Sequence, residues 1–150
     1  MTRKQLQNAF TRMLWDADLI GSRATLALAE MLWAVMLWWP GDTFSRPTYT
    51  HIAVVMPEDA WGLVFALSSV TQLSIIVQND FHSRFARYFA GWNFALWAFV
   101  VISMLLSVYP PPAAIAGEIA LMFSAWWIWS RPYLLMMAMM EDGYDVAPKK

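Results

Sequence analysis

The 150-residue chain contains four apolar stretches, residues 24–39, 60–77, 89–109 and 113–129, which together hold only two charged side chains, Glu30 and Glu118. Nothing else in the sequence restricts the fold as tightly. Each stretch has about 16–21 residues, so as a helix rising ~1.5 Å per residue it extends about 24–32 Å, the hydrocarbon thickness of a bilayer. A helix satisfies its own backbone polar groups, which lipid cannot do. The sequence therefore predicts an all-α integral membrane protein, a four-helix bundle in one domain. A bundle built for water is the rival reading. Charged residues are only 14% of the chain, against about 25% in ordinary soluble domains. A soluble helix also needs a polar stripe, and 89–109 offers only Asn93, Ser103 and Ser107.

The same composition closes off several functions. A formal net charge of -1 leaves no concentrated cationic face for phosphates, so nucleic acid is not an expected partner. With no cysteine there is no disulfide, thiol nucleophile or thiolate metal site. The two histidines, His51 and His82, fall in connections on opposite sides and cannot share a haem between spans. Asp80 could pair with His82, but no nucleophile stands in a recognisable motif with them. Met136, Met137, Met139 and Met140 make a thioether cluster without a Cys or His to complete a Cu(I) site, so they read as flexible hydrophobes. No nucleotide-binding glycine motif is present. The expectation is a protein with no catalytic residues, metal or cofactor, whose first partner is the bilayer.

Residues 2–22 read as an amphipathic helix, with Leu6, Phe10, Met13, Ala17 and Ile20 at helical spacing and Lys4, Asn8, Arg12 and Asp18 pointing elsewhere. Such a helix lies in the headgroup layer or runs straight into the first span, and Gly21-Ser22-Arg23 is the place for a bend. A basic leader before an apolar core also resembles a secretion signal. The exit Leu37-Trp38-Trp39-Pro40 lacks a small-x-small cleavage pattern, so the first helix is expected to stay. Pro40-Gly41-Asp42 ends it. Within the connection 40–59, residues 47–56 predict one short interfacial helix burying Ile52, Val54, Val55 and Met56. Pro57-Glu58-Asp59 opens the second span, with two carboxylates at the positive end of the helix dipole. Pro110-Pro111-Pro112 joins the last two spans in a tight hairpin. Beyond Arg131-Pro132, residues 133–140 predict a separate interfacial or packing segment, and 141–150 a polar tail.

Orientation follows from charge. Arg3, Lys4, Arg12, Arg23, Arg84, Arg87, Arg131, Lys149 and Lys150 fall on one side of this pattern, and Arg46 alone on the other. Cationic loops resist translocation, so both termini are expected in the cytoplasm. An even number of spans demands the same. Trp38, Trp39, Trp61 and Tyr109 fall at the outer boundary, and Trp15, Trp92, Trp126, Trp127, Trp129, Tyr88 and Tyr133 at the inner one, where indole and phenol rings favour the headgroup level. Trp33 and Trp97 fall inside spans and should face packing partners.

Carboxylates within a span are functional candidates by default. Glu30 is expected level with Gln72 on the second span, with Arg23 two turns below on the same face and Ala27 and Ala34 allowing close approach. Glu118 is expected level with Ser103. Two polar layers of this kind suit a proton or cation pathway. They equally suit glutamates that are protonated or hydrogen-bonded and orient the helices. Ala116, Ala120 and Ser124 step by four along the fourth span, and intramolecular packing is their expected use.

Three segments carry a resemblance: Trp39-Pro40-Gly41-Asp42-Thr43-Phe44-Ser45-Arg46-Pro47-Thr48-Tyr49, Pro57-Glu58-Asp59-Ala60-Trp61-Gly62-Leu63, and Tyr109-Pro110-Pro111-Pro112-Ala113-Ala114-Ile115-Ala116-Gly117-Glu118. Together they resemble small membrane proteins encoded by tailed bacteriophages. The resemblance implies a location, the inner membrane of the bacterial host, and no activity. The expected function is helix contact, with a second copy or a membrane partner. The alternatives are a holin-like permeabilising protein and a small carrier coupled to protons or cations through Glu30 and Glu118.

Overall fold

The computed structural model describes residues 3–81 and 83–141, with side chains described for 17–81 and 83–131. The described residues are helical, with no strand among them. Helix α1 spans Arg3–Trp38, α2 Thr50–Val55, α3 Glu58–Val77, α4 Arg84–Ser107 and α5 Ile115–Glu141. Among the described residues, three segments, Ala17–Trp38, Glu58–Val77 and Arg84–Ser107, are long and apolar enough to cross a membrane.

Helix α1 is a single rod of 36 residues, about 54 Å at ~1.5 Å per residue. It is unbroken at Gly21, so the amphipathic segment continues directly into the first apolar stretch. Helix α5 is likewise unbroken for 27 residues. The expected separate segment at 133–140 is its continuation. Pro132 removes one backbone hydrogen bond and does not end the helix. The methionine cluster at 136–140 lies outside the described side chains, as do Lys149, Lys150 and His82.

The connection after α1 is more subdivided than the sequence suggests. Two 3-10 turns, Thr43–Ser45 and Pro47–Tyr49, precede α2. Asp42 caps the first turn by accepting from Ser45 N at 3.0 Å. The Glu58 carboxylate at the start of α3 accepts from the backbone N–H groups of Thr43 at 3.1 Å and Phe44 at 3.4 Å. Of the four residues expected to be buried here, Ile52 alone is fully enclosed, Met56 is half-buried, and Val54 and Val55 are exposed. Trp61, expected in the interfacial belt, is buried and donates its indole N–H to the Ile52 carbonyl at 3.1 Å. The connection is thereby folded over the end of α4, against which α2 packs.

Helix α1 packs along α3, α4 along α5, and α1 also touches α5. In each of the first two pairs an indole lies over a glycine: Trp38 over Gly62 and Trp129 over Gly91. Ser69 Oγ donates to the Ala27 carbonyl at 2.7 Å, a contact that needs the small residues Ala27 and Ser69 where α1 meets α3.

Helix α3 buries polar side chains beside its aromatic core residues Trp61 and Phe65 and leaves aliphatic ones outside. Leu63, Leu67, Val70, Leu73 and Val77 form an exposed apolar stripe on α3, while Ser68, Ser69 and Gln72 of the same helix are buried. An exposed apolar stripe of this length suits lipid better than water.

A Cβ at Gly62 would come within 2.5 Å of Trp38 Nε1, whereas one at Gly21 would meet nothing within 4 Å. Gly62→Ala is expected to lower stability by about 1–3 kcal/mol through overpacking. Gly21→Ala should be neutral or stabilising by about 0.5–1 kcal/mol, through helix propensity. Unfolding midpoints in mixed detergent micelles report both.

Candidate functional site

The densest group of buried polar side chains lies where α1, α3 and α4 converge. Arg23 is 1% exposed, and it enters because Ala86 and Ala90, both buried, leave room on α4. Its Nη1 donates to Gln72 Oε1 at 2.7 Å and its Nη2 to the Ala86 carbonyl at 3.1 Å. Asp80, just before α4, is close enough for its charge to act on the guanidinium. Ser83 accepts from Ala86 N at 3.0 Å and caps that helix. One guanidinium thus ties three helices together.

Glu30 and Gln72, expected at one level, are not partners. Gln72 is taken by Arg23, so it belongs nearer the start of α1. Arg23 reaches Ala86 and Trp33 packs on Trp97, so Glu30, between them on α1, stands level with Asn93 on α4. Glu30 and Asn93 are both 0% exposed. The Trp97 indole N–H faces the Glu30 carboxyl but stops short of hydrogen-bond geometry. Both Glu30 oxygens, both Asn93 amide atoms, Trp97 Nε1 and Gln72 Nε2 lack a hydrogen-bond partner among the described residues. Above them is an aromatic plug: Trp33 meets Phe65 at 5.2 Å, Trp97 edge-on at 5.9 Å and Tyr49 edge-on at 6.0 Å between ring centroids. Trp33 and Trp97 are therefore core residues, as their mid-span positions imply.

Glu118 turns inward on α5, and its Oε2 has no partner. Trp129 over Gly91 sets the register of the last pair and puts Glu118 level with Ser103, yet no hydrogen bond joins them. Ser103 is buried, and its carbonyl accepts from Ser107 Oγ at 2.7 Å. Ser107 Oγ lies 2.9 Å from His51 Nδ1. The serine proton is already committed, so His51 donates. The charge of Glu118 instead acts on Tyr49. Burial, reinforced by that carboxylate, holds the Tyr49 phenol above its ordinary range, with Arg46 acting the other way.

Two features escape a reading of the sequence. Asn93 is visible there as a polar residue in a span, but nothing local says that it stands level with Glu30. Asp18 is visible only as one member of a polar helix face. It accepts from Arg131 Nη1 at 2.9 Å and from Trp127 Nε1 at 3.2 Å, fastening α1 to α5.

The small-residue ridge on α5 also departs from the intramolecular packing expected of it. Ala116, Gly117 and Ala120 are exposed and Ser124 is half-buried, its hydroxyl turned back to the Ala120 carbonyl at 2.9 Å. The inward face of α5 is Ile115, Glu118, Ala125 and Ile128. Ala116, Gly117 and Ala120 point away from the other described helices.

Among the described residues, no three metal-ligating side chains gather in one place. Comparison with known protein families, curated proteins and solved structures finds no match to this chain.

Removing the Arg23 guanidinium leaves Gln72 and the Ala86 carbonyl without their donor. Arg23→Met is expected to cost about 3 kcal/mol, the scale of charge-assisted hydrogen bonds. Asn93→Leu removes a buried amide that has no partner, and should be neutral or stabilising. Unfolding midpoints in micelles test the contrast, and a large loss for Asn93→Leu would mean that the amide is bonded after all.

Proposed function

We propose that the chain is a non-enzymatic, multi-pass protein of the bacterial inner membrane that works by packing the outer face of α5 against a second copy of itself. In this reading α5 is a fourth span, the helices form a four-helix bundle, and both termini are cytoplasmic. The charge asymmetry supports that orientation. The likeness to phage-encoded membrane proteins supports the host inner membrane as its location.

The outward ridge of Ala116, Gly117 and Ala120 carries the proposal. Apolar surface gains nothing by leaving lipid for protein, so helices associate there through close backbone approach. Small residues serve that purpose only where another helix comes near, and no helix among the described residues covers the ridge.

A second reading, a carrier coupled to protons or cations, is favoured by the full burial of Glu30 with neither oxygen hydrogen-bonded. A glutamate that only orients helices is better served by a bonded carboxyl. A holin-like lesion needs a hydrophilic helix face to line the hole, and the outward face of α3 has none.

The lack of cysteine makes single-cysteine variants clean probes. Oxidation in membranes is expected to cross-link Ala120→Cys and Gly117→Cys between copies, but not Leu67→Cys on the lipid-facing stripe of α3. Equal cross-linking at all three positions overturns the contact reading. Saturable flux into vesicles, abolished by Glu30→Gln, would establish the carrier in its place. An impermeant maleimide applied to spheroplasts should label Ser45→Cys and spare Ser83→Cys.

A further inference from the structure

Where α1 meets the following connection, a recess of about 450 Å³ opens on the side of the molecule. Its apolar wall includes Leu32, Val35, Met36 and Trp39, and its other wall carries Asp42 and Arg46. Leu32, Val35, Met36 and Trp39 are all exposed, Trp39 at 71%. The recess thus joins a hydrocarbon-facing strip of helix to one cation and one anion at the end of the span.

The two charges do not neutralise each other. Arg46 forms no ion pair with Asp42 or any other described carboxylate. Asp42 spends Oδ1 on Ser45 N and its backbone carbonyl on Ser45 Oγ, which leaves Oδ2 uncommitted. Glu58 holds the same turn through Thr43 and Phe44, so the polar wall is fixed before any ligand arrives. A ligand that satisfies this site carries a negative and a positive group a short distance apart, with an apolar tail that continues along α1.

We infer that the recess binds one zwitterionic glycerophospholipid with a primary ammonium headgroup, its phosphate on Arg46, its ammonium on Asp42 and an acyl chain along Leu32, Val35 and Met36. An –NH₃⁺ group donates hydrogen bonds to a carboxylate, whereas a quaternary choline has no N–H to give. A phosphatidylglycerol headgroup offers the phosphate and no cation. The inference rests on the membrane reading of the chain and is independent of the α5 contact.

Native mass spectrometry of the full chain, released from micelles after titration with lipids of matched acyl chains, tests it. One phosphatidylethanolamine should be retained, about tenfold more tightly than phosphatidylcholine, the scale of one charge-assisted hydrogen bond. Asp42→Asn, which can still cap the turn, should bring phosphatidylethanolamine down to the phosphatidylcholine level. Arg46→Gln should weaken both lipids together. Equal retention of the two lipids by the unaltered protein, preference for phosphatidylglycerol, or indifference to Asp42→Asn overturns the site. A chain that stays folded and dissolved without detergent overturns the membrane reading itself. A micelle-embedded chain without lipid selectivity overturns this inference alone.

Discussion

A buried guanidinium has to be satisfied, and how Arg23 is satisfied governs the rest of the structure. A cation inside a span is tolerated only where it faces protein and finds acceptors. Arg23 finds Gln72 on α3 and the Ala86 carbonyl on α4. Those two bonds set the height of both helices against α1. Once they are set, Ser69 falls beside Ala27, Trp33 against Trp97, and Glu30 at the level of Asn93. The levels of the interior follow from one side chain with two forked donors.

Elsewhere the helices approach through shape. Trp38 over Gly62 and Trp129 over Gly91 are one solution used in both long pairs. On α3, Ser68, Ser69 and Gln72 turn inward, while Leu63, Leu67, Val70, Leu73 and Val77 lie outward. The connection between α1 and α3 closes the far end with Tyr49 and Ile52, the latter's carbonyl held by Trp61 of α3, and the hydrogen bonds of Asp42 and Glu58 make it a folded cap. The near end is fastened by Asp18 and Arg131, with the Trp127 indole on the same carboxylate oxygen.

The helical class and the approximate spans are legible in the sequence because they depend on run length and on the absence of charge, both local properties. Trp33 and Trp97 are legible as core for the same reason, since an indole far from either interface must pack. Boundaries that depend on continuity are not. Gly21 and Pro132 each suggest a break, and each lies inside an unbroken helix. A single residue shifts local preference by about 1–3 kcal/mol, which the flanking helical residues outweigh. The polar interior is half legible. Arg23, Glu30, Gln72, Ser103 and Glu118 are all buried, but counting residues from the span ends pairs Gln72 with Glu30, whereas Arg23 takes Gln72. The α5 ridge is legible as a packing surface, whereas the side of the helix on which it lies is not.

Sequence alone determined that this chain is helical, that its long helices suit lipid, and which few polar residues must be accommodated within them. Hydropathy, helix periodicity and the cost of a charge in hydrocarbon act residue by residue, so they can be read in one dimension. Tertiary structure decided which polar residues meet, which helix face is left for a neighbour, and that Asp42 and Arg46 share a recess without pairing. Those outcomes depend on the relative height and rotation of helices distant in the chain. Side-chain reach and packing set these quantities, and no local pattern encodes them.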